Sequence, residues 1–238
     1  MKFEIFSEEL EIASNQIELK LAKEQIEKYY KYMNLLLEWN EKINLTAITE
    51  PKEIVLKHFI DSLTIAKYIK DNEKLIDVGT GAGFPGIPLS IVKENTNIIL
   101  LDSLNKRINF LEEAKQNLKL ENVKTIHGRA EEFGKNKKER ESYDIATSRA
   151  VAPLNILLEY LLPLVKVGGK AICMKGPNIE EIENAKNALE ILGGQIEKVE
   201  EIILPNSDIK RNIIIIKKIK NTPSKYPRKP GTPSKEPI

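Results

Sequence analysis

The run Leu75-Ile76-Asp77-Val78-Gly79-Thr80-Gly81-Ala82-Gly83-Phe84-Pro85-Gly86 constrains the fold more than any other segment of this chain. Apolar residues around one acid, followed by glycine at every second position, read as a buried strand ending in a tight loop that opens a helix. Glycine permits the sharp turn and lets a ligand approach main-chain atoms closely. The segment therefore predicts a nucleotide-like cofactor above the loop, and the question is which one.

Gly81, Gly83 and Gly86 satisfy the spacing G-x-G-x-x-G, and Asp102 follows where an acid on a ribose belongs in a dinucleotide fold. Two features oppose a dinucleotide. A pyrophosphate is held by free N–H groups at a helix start, and Pro85 and Pro88 remove such groups from that turn. Asp77 also puts a carboxylate at the strand end, which repels a pyrophosphate and suits a cationic ligand. S-adenosylmethionine, with an amino group, a sulfonium and no phosphate, fits this loop better than a nicotinamide cofactor.

The 238 residues predict one large domain, or one domain with a small extension. With 41% hydrophobic and 30% charged residues the chain falls among ordinary soluble globular proteins. The single cysteine, Cys173, excludes an internal disulfide and a cysteine-based metal site. Two histidines, His58 and His127, are too few for a usual zinc set, so no metal is expected. The start lacks the apolar stretch of a secretory signal, and no apolar run approaches the ~20 residues that span a bilayer. A cytoplasmic protein is the expectation. Net charge is only +2, yet Lys217 to Ile238 holds seven basic residues against one acid. A basic tail on a mildly acidic body is a nucleic-acid footprint, with a solvated, disordered end as the other reading.

Apolar residues at three- and four-residue steps from position 8 to about 40 (Leu10, Ile17, Leu21, Ile26, Tyr29, Met33, Leu37) predict a helical stretch, and Glu53 to Ile69 a second one. Residues 1–70 thus form a helical cap, 71–220 the main domain and 221–238 a basic, proline-rich loop or extended arm. Within the main domain, strands are expected at Leu75–Val78, Asn97–Leu101, Val123–His127, Tyr143–Thr147 and Lys170–Met174, the last entered through a turn at Val167-Gly168-Gly169. Helices are expected at Gly86–Lys93, Asn105–Leu118, Leu154–Leu162 and Ile179–Leu192, and two late strands near Gln195–Leu204 and Asn212–Lys218. This alternation argues an α/β fold with a doubly wound, mostly parallel sheet and an antiparallel edge pair.

Ligands of open parallel sheets sit at the carboxyl ends of the strands. Strand one offers Asp77 and the loop Gly79, Gly81, Gly83 and Phe84. Asp102 ends strand two, where it can accept both ribose hydroxyls or cap the next helix. Ala130 and Glu131, after strand three, can bond an adenine edge through the main chain or simply start a helix. Arg149, at the mouth of strand four, can grip a carboxylate or an RNA phosphate. No Asp/Asn-Pro-Pro-Tyr/Phe follows strand four, and Cys173 lies inside an apolar strand as a core residue. Methylation of an exocyclic amine or of pyrimidine carbon five is thereby disfavoured. A ring nitrogen such as guanine N7 needs neither a base nor a nucleophile, only positioning. His58, among Lys57 and Asp61, reads most simply as structural.

Further markers join these: Trp39-Asn40 with Ile43-Asn44-Leu45-Thr46, His58-Phe59-Ile60-Asp61-Ser62-Leu63, Asp102-Ser103-Leu104-Asn105-Lys106-Arg107, Arg129-Ala130-Glu131-Glu132, Ser148-Arg149-Ala150-Val151, and Arg228-Lys229-Pro230-Gly231-Thr232-Pro233-Ser234-Lys235. Over nearly its whole length the chain resembles the bacterial ribosomal RNA small subunit methyltransferase G family, also called glucose-inhibited division protein B. The resemblance implies a class I S-adenosylmethionine-dependent methyltransferase fold with a seven-stranded sheet and an N-terminal helical extension. It implies methyl transfer to N7 of one guanosine of 16S rRNA, position 527 in the usual bacterial count, with naked rRNA or the small ribosomal subunit as partner. It also places cofactor contacts on Gly79, Phe84, Ala130, Glu131 and Arg149. Lys106, Arg107, Arg149, Lys175, Arg228 and Lys229 are the candidate phosphate contacts, and a monomer is the default in the absence of heptads. Removing the chain from Lys225 onward is expected to weaken RNA binding more than cofactor binding. The residues alone leave open a methyltransferase for another target, a cofactor-sensing RNA-binding module, and a nicotinamide-dependent oxidoreductase.

Overall fold

The computed structural model describes residues 1–238. Helices α1 (Phe3–Gln16) and α2 (Lys23–Asn40) come first, where the spacing predicted one stretch from residue 8. The chain turns between them at Glu18, which has φ +59°, so Ile17 and Leu21 continue the apolar pattern across a bend. The second predicted stretch is also broken. It consists of α3 (Pro51–Ile54), a π turn over Val55–Ile60, α4 (Asp61–Leu63) and a 3-10 turn at Ala66–Tyr68. Apolar spacing records which side faces the core; it does not report the pitch of each turn.

Next in the chain are β1 (Lys74–Val78), α5 (Gly86–Val92), β2 (Asn97–Asp102), α6 (Asn105–Leu118), β3 (Val123–His127), α7 (Ala130–Phe133), β4 (Tyr143–Arg149) and α8 (Leu154–Leu161). Then follow β5 (Val165–Lys175), α9 (Glu181–Asn184), α10 (Lys186–Leu192), β6 (Gly194–Ile203), β7 (Lys210–Lys218) and α11 (Thr232–Lys235). The seven strands lie in the order β3-β2-β1-β4-β5-β7-β6. β1 pairs in parallel with β2 and β4, so the order reverses at β1 and opens a crevice above its carboxyl end.

β7 lies between β5 and β6 and runs antiparallel to both. The predicted turn at Gly168-Gly169 is instead an irregularity inside the longer β5, where the β4 register jumps from Tyr143↔Val165 to Ile145↔Lys170. Gly168 takes φ +87° there, so the extra residues are absorbed without ending the strand. The single helix expected over Ile179–Leu192 divides into α9 and α10 at Ala185.

Both faces of the sheet are covered. On one, α1, α2, α5 and α6 contribute to a core of 37 buried residues that includes Phe6, Tyr29, Tyr32, Phe59 and Phe110. On the other, α8 and α10 pack Leu157, Leu161, Leu189 and Leu192 against Ile76, Val78 and Ile214. The N-terminal helices therefore complete one of two core layers and do more than cover a sheet edge. No helix is long and apolar enough to cross a membrane.

The segment after Asn221 is docked on the body of the protein, which rules out the reading of it as a solvated, disordered end. Thr222 and Tyr226 are buried, and Arg140 donates to the carbonyls of Thr222 (2.6 Å) and Tyr226 (2.7 Å). The proline-rich composition limits regular structure here to the single turn of α11, and it does not mean a lack of contacts.

Candidate active site

The loop after β1 is fixed almost wholly by its own main chain. Gly79 N and Thr80 N donate to Leu101 O, at 2.8 and 3.1 Å, tying the loop to β2. Gly83 N and Phe84 N donate to Thr80 O, at 2.9 and 3.0 Å. Gly79, Gly81 and Gly83 have φ of +69°, +62° and +94°, a region that L side chains rarely tolerate. The start of α5 offers no anion site. Gly86 N donates to Asp77 Oδ2 (2.8 Å) and Ile87 N to Gly83 O (2.7 Å), and Pro85 and Pro88 have no N–H. A pyrophosphate would find no free donors there.

Asp77 does not face a ligand, and the expectation that it would attract a cation is corrected. It is 0% exposed, and Oδ2 accepts from Thr80 Oγ1 (2.6 Å) as well as from Gly86 N, while Oδ1 has no partner. Burial pushes its carboxyl up to about 7, against the lowering effect of its hydrogen bonds. Asp77 braces the loop from beneath. Gly83 is likewise a packing glycine, since a Cβ there would lie 2.5 Å from Ile87 Cδ1.

Two adjoining cavities open above the loop. The larger, about 410 Å³, is lined by Gly79, Gly81, Phe84, Asp102, Arg107 and Arg149, with Thr46 and His58 on its N-terminal side. The smaller, about 160 Å³, is lined by Ala130, Glu131 and Tyr160 together with Gly79 and Asp102. Asp102 and Gly79 border both, so one elongated ligand could cross from one to the other. Asp102 Oδ2 accepts from Gly81 N (2.9 Å) and Arg107 Nη1 (3.3 Å), and Oδ1 accepts from Leu104 N (2.9 Å). The two readings of Asp102 thus coexist: it caps the turn into α6 and stands at the cavity junction.

Arg149 is locked by the N-terminal helices. Its Nη1 donates to Lys57 O (3.0 Å) and Asp61 Oδ2 (3.3 Å), and its Nη2 to His58 Nδ1 (3.0 Å). The guanidinium carbon lies 4.9 Å from the centre of the Phe84 ring, on which His58 stacks at 4.4 Å and 15°. Burial, then the charge of Arg149, holds the His58 imidazole down at about 3, so it is neutral. Nε2 of His58 lies 2.8 Å from Thr46 Oγ1, and Asn40 Oδ1 accepts from Leu45 N and Thr46 N. Asn40 thus holds the turn that brings Thr46 against His58, and Thr46 and His58 share one wall of the larger cavity.

The candidate phosphate contacts separate into two groups. Lys106 and Lys229 are exposed, and Arg107 stands at the cavity mouth. Lys175 and Arg228 are corrected. Lys175 is 9% exposed, donates to Ala152 O (2.8 Å) and pairs with Glu181 at 2.7 Å. Arg228 pairs with Glu159 through Nη2 (2.7 Å) and Nε (3.0 Å). Both charges are met by acidic partners, that of Lys175 in the interior and that of Arg228 at a partly exposed position, which no count of basic residues could show. Sequence reasoning also missed Thr46 and Tyr160 in the cavity walls. Thr46 lay within a quoted motif; Tyr160 carried no signal beyond its helical apolar phase.

The residues fit a nucleoside cofactor by three observations. A Cβ at Gly81 would meet nothing within 4 Å, leaving open space for close approach. A carboxylate stands where the cavities join. The helix start rejects phosphate. Fold and site together define an S-adenosylmethionine-dependent methyltransferase. Among solved structures, an S-adenosylmethionine-dependent methyltransferase of Aquifex aeolicus matches 76% of this chain and 97% of its own, with a TM-score of 0.53 and 20% identity. A precorrin-6y C5,15-methyltransferase of Geobacter metallireducens matches 74% and 91%, with a TM-score of 0.52 and 15% identity. These likenesses establish the fold.

The family model described as rRNA small subunit methyltransferase G matches residues 25–213, and the chain belongs to that family. Ribosomal RNA small subunit methyltransferase G of Alkaliphilus metalliredigens is 57% identical over 217 residues, covering 90% of this chain and 91% of the relative. That of Acetivibrio thermocellus is 58% identical over 221 residues, covering 92% and 91%.

Proposed function

We propose that this protein methylates N7 of a single guanosine, position 527, of 16S rRNA, working as a cytoplasmic monomer. The observation that carries the reading is the pair of cavities joined at Asp102, whose walls hold no cysteine and whose one histidine, His58, has both ring nitrogens engaged. Cys173 is buried outside them, its thiol pushed up to about 12 by burial. His58 is neutral, and its Nδ1 and Nε2 are engaged by Arg149 and Thr46. Asp77 titrates near 7 but is sealed beneath the loop. Guanine N7 carries a lone pair and no proton, so a site built to orient and not to deprotonate suits it.

Bound there, S-adenosylmethionine would supply an electrophilic methyl group, its bond to sulfur breaking with the electrons left on sulfur as the guanine N7 lone pair forms the new bond. The chain's residues then have positioning roles. Gly79 and Gly81 admit the ligand to the main chain, Asp102 offers acceptor oxygens to ribose hydroxyls, and Ala130 and Glu131 line the adenine end. Arg149, immobilised on Phe84, offers its remaining donors to a carboxylate. Lys106 and Lys229 supply positive charge for the RNA backbone, and Arg107, paired with Asp102, stands at the cavity mouth.

The test is methyl transfer from labelled cofactor to small-subunit RNA and to particles lacking their native methylation, with the nucleoside identified by mass. A 7-methylguanosine at the single expected site supports the reading. Label at another position overturns the target. Tight cofactor binding without transfer would make the protein a cofactor-sensing RNA-binding module. Light scattering of the free protein tests the monomer.

A further inference from the structure

The smaller cavity has a wall that neither the glycine loop nor the sheet supplies. Glu131 and Tyr160 line it, and each is bonded to the C-terminal segment: Gly231 N donates to Glu131 Oε1 (3.1 Å), and Tyr160 Oη lies 3.1 Å from Ser234 Oγ. α7, which begins with Ala130 and Glu131, is only four residues long, a single turn. The same segment holds it at both ends. Beyond the Glu131 contact, Pro227 packs so closely on Gly134 that a Cβ there would lie 2.9 Å from its ring. Gly231 has φ +83°, the conformation that glycine adopts without penalty and that here accompanies the contact of its N–H with Glu131.

Between these contacts lies an anchor. Glu159, 1% exposed, accepts from Arg228 N (2.7 Å), Nε (3.0 Å) and Nη2 (2.7 Å). A carboxylate buried this deeply is tolerated because an arginine fork and a main-chain N–H meet it. Further back, Glu141 accepts from Thr222 N (2.7 Å) and Asn221 Nδ2 (2.6 Å) and pairs with the buried Lys218 at 3.2 Å. The segment is clamped at its root, in its middle and at the cavity.

We propose that residues 222–235 form a strap that builds the adenine end of the cofactor site, with Arg228 and Glu159 as its positioning pair, so that cofactor affinity depends on the strap even without RNA. This rests on the cofactor reading above. It reverses the expectation that loss of the tail acts chiefly on RNA: the tail's arginine faces the protein, and Lys225, Lys229 and Lys235 are its exposed charges.

The experiment measures binding of S-adenosylhomocysteine and S-adenosylmethionine by calorimetry in the absence of RNA. It uses the full chain, Arg228→Ala, Ser234→Ala, the exposed control Lys23→Ala outside the strap, and a chain shortened by residues 225–238. Arg228→Ala is expected to weaken cofactor binding about tenfold, the loss of one charge-assisted contact, and Ser234→Ala severalfold, with Lys23→Ala unchanged. In turnover, Arg228→Ala should raise the KM for S-adenosylmethionine and leave kcat at saturating cofactor within about twofold, a split that general destabilisation would not produce. Should the shortened chain fail to fold, the point variants decide. Full-chain affinity in both Arg228→Ala and Ser234→Ala overturns the strap and leaves the cofactor reading intact. Failure of the full chain to bind either probe overturns that reading and the strap with it.

Discussion

Asp77 and His58 are both buried, and folding moves their proton affinities in opposite directions. The Asp77 carboxyl is raised to about 7, so its contribution to stability is full below its unfolded value near 4 and is lost as pH rises towards 7. The His58 imidazole is lowered to about 3, so its contribution is present above about 6.5 and is lost as pH falls. Between about pH 4 and 6.5 the two slopes oppose each other. In Asp77→Asn, denaturant unfolding should show stability rising with pH across that window, by about 1 kcal/mol per pH unit. In His58→Gln it should fall with pH over the same range. Parallel profiles for the two variants would mean that one of the groups titrates elsewhere. Gly81 makes a separate prediction. A valine there points into open space and takes a positive φ. Gly81→Val should cost about 1–2 kcal/mol of stability and abolish detectable cofactor binding by calorimetry.

The N-terminal helix α2 acts on the glycine loop from outside the sheet. Tyr29 Oη donates to Pro88 O (2.7 Å), Tyr32 Oη to Ala82 O, and Gln25 Nε2 to Ile91 O (3.1 Å). Burial raises both tyrosines well above the usual phenol value, so each remains a donor. Tyr32→Phe leaves the Ala82 carbonyl without its partner and should cost about 1–2 kcal/mol in denaturant unfolding. It should also raise the cofactor Kd, since the loop loses a tether; an unchanged Kd would assign α2 to packing alone. The strands of this fold were legible because apolar runs such as Ile98–Leu101 and β-branched stretches such as Val123–Ile126 are bounded by turn residues. The glycine loop was legible because few other structures need glycine at alternate positions. Helix breaks at Glu18 and Ala185 were not, since an apolar face continues through a bend. The direction of Asp77 was not legible either: alternation puts a strand residue on one face of the sheet, but does not say that Gly86 N and Thr80 Oγ1 wait there. Lys175 and Arg228 were misread because their acidic partners, Glu181 and Glu159, meet them only through the fold.

At the scale of the whole molecule, the basic surface is smaller than the composition implies. Lysines and arginines such as Lys67, Arg107, Arg149, Lys175 and Arg228 are in ion pairs, which leaves Lys106 and Lys229 among the exposed candidates. In RNA titrations at several salt concentrations, Lys106→Ala and Lys229→Ala should each lower the slope of log affinity against log salt by about 1. Unchanged slopes would place the RNA on another face. The sheet order bears on how the protein is made. β7 enters between β5 and β6, and the residues after it return to the wall beside Tyr160. A chain emerging residue by residue presents β5 and β6 with a gap between them, because their common neighbour is synthesised after both. Until Lys210–Lys218 arrives, two strand edges stay open, and the cofactor site stays unfinished until later still. A copy still lacking these residues has an incomplete cofactor wall and two unpaired strand edges facing one gap.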